Sequence, residues 1–149
     1  LLNHKTKPEL AGLAARDTLR LEMGYCLYGN DIDETTTPLE ASLSWIVKFE
    51  NDFIGREKLE NQKIVGLKRK LVGFILIDKG IPRKDYEIFD TNNQKIGIVT
   101  SGTMSPSLNK SIGMGYVNIK ESNVDNYIFI KIRNKLVKGM IVKRPFYVK

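Results

Sequence analysis

Two arginines four positions apart, Arg16 and Arg20, lie in the stretch GLAARDTLRLEMGYCLYGNDID between Gly12 and Asp33. On a helix they share one face. Like charges at that spacing repel by a few tenths of a kcal/mol, a cost that is offset when something anionic lies over the face. A guanidinium offers a planar fork of donors that suits carboxylate or phosphate. Tyr25 and Tyr28 follow, with Gly24 and Gly29 as breaks, so the helix would end in a tyrosine-rich turn. The arrangement reads as one wall of a site for a flat, acidic ligand. The competing reading is a solvated charged face, with the arginines paired to Asp17, Glu22 or acids elsewhere and Tyr25 in the core.

Other chemistry is thinly supplied. Cys26 is the only cysteine and His4 the only histidine of the 149 residues. An internal disulfide is therefore impossible, and no ordinary zinc site or Ser-His-Asp arrangement can be built, so no metal is expected. Cys26 sits in the apolar run YCLY and reads as core rather than nucleophile. Asp31, Asp33 and Glu34 are close together but lack the spacing of a calcium loop, and read as a solvated or arginine-paired loop. The net charge of +7 suits an anionic ligand or an acidic partner. The lysines are scattered and the aromatics lack an RNA-binding pattern, which argues against nucleic acid. No apolar run is long enough for a membrane span and nothing resembles a signal peptide; the expected location is the cytoplasm, and the Asn-, Lys- and Ile-rich usage hints at an AT-rich bacterium.

The elements that would position these residues follow from periodicity. Pro8 can open a helix whose apolar stripe (Leu10, Leu13, Ala14, Leu21) runs to Gly24. Thr37, Pro38 and Glu40 form a capping-box pattern. A short helix there should pass into a strand, because Leu43, Trp45, Val47 and Phe49 alternate with other residues. Phe53 to Gly66 predicts a surface helix with Leu59 and Ile64 facing inward. From Arg69 the chain reads as short strands: Leu71–Ile77, Tyr86–Phe89, Ile96–Thr100, Ile112–Ile119, Tyr127–Arg133 and Leu136–Lys143. The segment SGTMSPSLNKS between the third and fourth reads as loop. Six short strands at regular spacing suggest a small barrel or sandwich. The part before Lys68 is too small and too rich in exposed apolar faces to stand alone, and the first residue is Leu1. It is read as the tail of a domain that begins outside this sequence.

The chain resembles the C-terminal part of the glycine cleavage system T-proteins, the aminomethyltransferases. The resemblance rests on GLAARDTLRLEMGYCLYGNDIDETTTPLEASLSW, DFIGREKL, IGIVTSGTMSPSLNKSIGMGYV and KRPFYVK, which follow one another through nearly the whole chain. It implies transfer of a one-carbon unit from the aminomethyl-lipoyl arm of H-protein to tetrahydrofolate as co-substrate, with release of ammonia. It also implies a ring of three domains around a folate channel, the third a jelly roll. Arg16 matches the family's folate-binding arginine, and Tyr25 an aromatic of the folate channel in some members. Arg20 belongs to the same motif, as a ligand contact or as an ion pair with Asp17 or Glu22. The flat pterin can stack on an aromatic ring and the glutamate tail suits a guanidinium. The family's catalytic aspartate and pterin-holding glutamate have no counterpart here, so no catalytic residue is assigned and the 149 residues alone are expected to be inactive.

The expected fold is then an α+β fragment: the end of an α/β folate-binding domain at 1–50, a helical linker at 51–68, and a six-stranded jelly-roll-like β-barrel at 69–149. Expected partners are lipoylated H-protein and tetrahydrofolate, with no nucleic acid and no membrane. Two other readings stay open. One is the folate-binding region of a dimethylglycine or sarcosine dehydrogenase-like protein. The other is a non-enzymatic β-barrel docking module. The family's iron–sulfur assembly branch carries a Cys motif that NDFIGREKL lacks.

Overall fold

A computed structural model describes residues 9–148. His4 and the helix start expected at Pro8 lie outside those residues. Six strands close into an antiparallel barrel in the order β1-β4-β3-β2-β5-β6. They are β1 (Arg69–Leu76), β2 (Glu87–Phe89), β3 (Lys95–Ser105), β4 (Lys110–Asn118), β5 (Tyr127–Ile132) and β6 (Lys135–Val142). Hairpins join β2 to β3, β3 to β4 and β5 to β6, while β1 lies beside β4 in a Greek-key path. Closure leaves no free sheet edge.

The barrel interior is a single apolar cluster that includes Val72, Phe74, Ile88, Val99, Ile130 and Ile141. Strand β5 shows the expected alternation, with Ile128 and Ile130 inside and Tyr127 and Lys131 exposed. Strand β1 is apolar at nearly every position because both of its faces are covered. Val72 and Phe74 face the interior, while Leu71 packs outside the barrel with Leu21, Ile112, Met114 and Tyr116. That outer patch is where the helix docks.

Helix α1 (Leu13–Glu22) ends where Gly24 takes φ +67°, a left-handed turn that glycine adopts without strain. It buries Leu21 completely against the barrel. Helix α2 (Arg56–Val65) begins after Gly55 and stops at Gly66, and is laced by an Arg56–Glu60 ion pair of 2.9 Å. Leu59 is half-buried, but Ile64 is 85% exposed rather than inward-facing.

Two further regions depart from expectation. The strand expected around Leu43–Phe49 is absent, and Ser44–Ile46 forms a 3-10 turn. The capping box is present, with the Thr37 N–H donating to Glu40 Oε2 (3.1 Å) and the Glu40 N–H to Thr37 Oγ1 (3.3 Å). The helix expected after it does not form: residues 38–42 make only hydrogen-bonded turns, and the chain leaves them where Ser42 turns left-handed (φ +59°) and its hydroxyl donates to the Leu71 carbonyl at 2.9 Å. An alternating segment with no strand edge to pair against has no ladder to join. The second failure is the segment SGTMSPSLNKS. Its first half is the end of β3, and only Pro106–Asn109 forms the turn into β4.

Candidate functional site

Arg16 and Arg20 do share a face of α1, and both line a cleft of about 490 Å³ with Leu13, Asp17, Cys26, Leu27 and Asn30. Their fates differ. Arg20 makes four hydrogen bonds, all to protein groups, and two ion pairs. Nε and Nη2 both reach Asp17 Oδ1 (2.7 and 2.6 Å), and Nη2 also donates to Ser101 Oγ (2.8 Å). Nη1 donates to the Tyr25 carbonyl (3.1 Å) and to Asp31 Oδ2 (2.5 Å). The ion pair expected with Asp17 is therefore present, and the larger partner is Asp31. Glu22 is not a partner of Arg20. Arg16 is exposed and has no ion-pair or hydrogen-bond partner among the described residues.

The anion over the arginine face is thus Asp31, whose side chain is wholly buried. Besides Arg20, its carboxylate accepts the Leu27 N–H (2.9 Å), the Thr100 hydroxyl (2.5 Å) and the Ser101 hydroxyl (2.7 Å). Its backbone carbonyl accepts the Tyr116 hydroxyl at 2.8 Å. Burial pushes the Tyr116 pKa well above its ordinary value. The acids of the 31–34 loop divide in role. Asp33 is exposed, and the Thr35 hydroxyl and N–H with the Thr36 hydroxyl hold its carboxyl below the usual range.

The two hydroxyls reach one carboxylate because of a β-bulge. Val99 pairs with Gly115 and Ser101 with Met114, leaving Thr100 as the extra residue of β3. In a regular strand neighbouring side chains point to opposite faces, and a bulge re-aims them. Beyond the bulge, Ser101 and Ser105 fall on the face toward α1. Ser105 Oγ donates to Glu22 Oε1 at 2.5 Å, and Ser107 Oγ to Glu22 Oε2 at 2.9 Å. The Glu22 carbonyl also accepts the Phe146 and Tyr147 N–H groups of the C-terminal tail. Sequence reading places these hydroxyls in a loop. All three donate to two buried carboxylates, and Ser105 Oγ also caps the Leu108 N–H at 3.1 Å; Ser107 lies in the turn, while Ser101 and Ser105 belong instead to β3. The spacing Ser101, Thr103, Ser105 is the period-two signal that marks them, masked by the nearby Gly102 and Pro106.

Tyr25 is not among the residues that line the cleft. The residue is 61% exposed, and it follows Met23–Gly24 directly ahead of Cys26, which does line the cleft. Cys26 is half-buried against the Leu21 patch, and burial raises its thiol pKa, with the nearby Arg144 guanidinium pulling the other way. Among the described residues no group of three or more His, Cys, Asp or Glu gathers in metal-binding range. No described helix is long and apolar enough to cross a membrane.

A closed six-stranded barrel with an arginine-bearing helix pinned to its outer face defines the class. The family model described as the glycine cleavage T-protein C-terminal barrel domain matches residues 69–147, and the one described as the GCVT N-terminal domain matches residues 3–51. The chain belongs to the glycine cleavage T-protein family. Among its relatives are proteins named aminomethyltransferase. That of Flavobacterium psychrophilum is 59% identical over 138 residues, covering 93% of this chain and 38% of the relative. That of Halothermothrix orenii is 58% identical over 137 residues, covering 91% of this chain and 38% of the relative. A crystal structure of the glycine cleavage system aminomethyltransferase T from Bartonella henselae superposes with a TM-score of 0.90 at 35% identity, over 98% of this chain and 41% of that one. The chain spans about two fifths of the length of the curated relatives it matches.

Proposed function

We propose that this chain supplies one wall of the tetrahydrofolate site and the C-terminal barrel of a bacterial, cytoplasmic aminomethyltransferase. The whole enzyme would take the aminomethyl group from the lipoyl arm of H-protein, release ammonia and pass the one-carbon unit to tetrahydrofolate. The observation that carries this reading is Arg16: an exposed guanidinium without a protein partner among the described residues, on a cleft whose second cation is already neutralised. An unspent fork of donors suits the carboxylates of a folate glutamate tail. Tyr25 offers an exposed ring on which a pterin can stack. Arg20 is committed to Asp17, Asp31, Ser101 and the Tyr25 carbonyl and serves the ligand by holding the wall. The names of the relatives favour this reading over a dehydrogenase-linked folate domain. The barrel reading as a docking module alone would leave Arg16 without a role.

A general acid or base must lie within hydrogen-bond reach of the proton it moves. Asp17 is tied to Arg20, and Asp31 and Glu22 are buried among hydroxyls, so the cleft offers no free carboxylate for that work. The 149 residues by themselves are therefore expected to show no aminomethyl transfer. The test is calorimetric titration of tetrahydrofolate into this chain, alone and joined to the remainder of the Flavobacterium psychrophilum relative. Arg16→Ala should weaken binding by about 1.5–3 kcal/mol, the worth of a charge-assisted contact. If neither form binds tetrahydrofolate, the folate reading is wrong.

A further inference from the structure

We propose that Asp31 is the positioning residue of this wall, setting the arginine face of α1 and the Tyr25–Leu27 turn against the bulge in β3. This deepens the folate reading and rests on it. Every part of the wall converges on one carboxylate. Arg20 brings α1, the Leu27 N–H brings the turn, and the Thr100 and Ser101 hydroxyls bring the barrel. The turn is tied a second time, since Arg20 Nη1 also donates to the Tyr25 carbonyl. Arg20 spans the same three parts, through the Tyr25 carbonyl and Ser101 Oγ, and Asp31 is the carboxylate against which that guanidinium, the Leu27 N–H and both β3 hydroxyls are set.

The bulge marks this arrangement as more than a surface ion pair. A regular β3 would turn Thr100 and Ser101 to opposite faces. The extra residue between Val99 and Ser101 turns both hydroxyls onto Asp31 Oδ1. Bulges re-aim side chains in this way beside functional sites. Anchoring α1 to the barrel does not by itself require Asp31. Glu22 on the same helix already makes that link through Ser105 and Ser107, and Glu22 does not line the cleft. The two buried carboxylates therefore divide the work, Glu22 fastening the helix and Asp31 setting the wall.

The experiment compares Asp31→Asn with Glu22→Gln in the chain joined to the remainder of the Flavobacterium psychrophilum relative. Both variants are near-isosteric. In Asp31→Asn the amide can donate to Thr100, whose hydroxyl is already 3.2 Å from the Met114 carbonyl and can donate there. Two readouts are taken on each variant: amide hydrogen exchange and tetrahydrofolate affinity. Asp31→Asn should speed exchange across residues 25–30 and weaken tetrahydrofolate each by roughly tenfold, as expected for losing a hydrogen bond to a charged group. Glu22→Gln should speed exchange at residues 105–108 and 146–147 and leave affinity unchanged. The proposal is overturned if exchange across 25–30 rises equally in both variants, or if affinity falls equally in both. If the unaltered protein binds no tetrahydrofolate, the folate reading fails, and exchange across 25–30 still decides whether Asp31 sets the wall. Should Asp31→Asn fail to fold, Ser101→Ala removes one of the hydroxyls, and the same split between exchange at 25–30 and at 105–108 is expected of it.

Discussion

Glu22, at the last turn of α1, accepts the Ser105 hydroxyl of β3 at 2.5 Å across 83 positions of sequence. Burial raises the pKa of this carboxyl, but the Ser105 and Ser107 hydroxyls and the Ser107 N–H together outweigh it, and the net shift is downward. The unfolded chain then holds a proton on Glu22 more tightly than the folded one. Stability from this group is complete above the unfolded value of about 4.3, and it is lost as pH falls through the lower folded value. Glu22→Gln removes that dependence. Urea denaturation from about pH 3 to 6 should show the gap between the native chain and the variant widening as pH rises. A gap that is flat or narrows would sink the assignment.

Arg16 and Arg20 sit on one helix face with opposite stakes in stability. Lysine keeps the charge but offers three donors on a point-like head, against the four hydrogen bonds that Arg20 makes from a planar fork. Arg20→Lys should cost about 1.5–3 kcal/mol, since Asp31 is wholly buried beside it. Arg16→Lys should stay within about 0.5 kcal/mol, as expected at an exposed position with no partner. Denaturant midpoints of the two variants, measured side by side, check this. Equal losses would show that the geometry around Arg20 is not what holds the helix.

The barrel was legible because its strands carry their own signals. Alternation in β5 and β6, a doubly covered apolar run in β1 and Asn- and Asp-rich turns each act locally. The helix with its two arginines was legible for the same reason. What could not be read is whatever depends on residues far apart in the chain. Asp31 meets Thr100 and Ser101 across 69 and 70 positions, and no local pattern announces that meeting. The bulge at Thr100 is likewise set by pairing with β4. Around Leu43–Phe49 the alternation was real, but the barrel had already closed without it. Gly102 and Pro106 suggested a loop, yet Gly102 lies within a paired strand, where the Pro82 carbonyl crowds the space a Cβ would need.

Cys26 gives a chemical check on how tightly the cleft floor is packed. Its thiol is half-buried, and burial raises its pKa despite Arg144. The thiolate is the reactive form, so alkylation by iodoacetamide near pH 8 should run several-fold slower than for a free cysteine, whose pKa is about 8.5. Mild urea that loosens α1 should restore the rate before the barrel melts. A thiol that reacts at the free rate in native buffer would mean that the Leu21 patch does not cover it.

Gly97 tests the closure of the barrel itself. It pairs with Val117 in the β3–β4 ladder, and a Cβ built there would collide with the backbone carbonyl of Tyr116. A main-chain atom in a ladder cannot swing aside as a side chain can. Tyr116 is also the residue whose hydroxyl donates to the Asp31 carbonyl, so displacing its strand disturbs the wall as well as the barrel. Gly97→Ala should therefore cost at least about 2 kcal/mol, toward the upper part of the overpacking range, and weaken tetrahydrofolate binding with it. An Ala variant at position 12, where nothing lies within 4 Å of the added carbon, should melt like the native chain. If Gly97→Ala and Gly12→Ala unfold at the same urea concentration, the close pairing of β3 and β4 at this point is wrong.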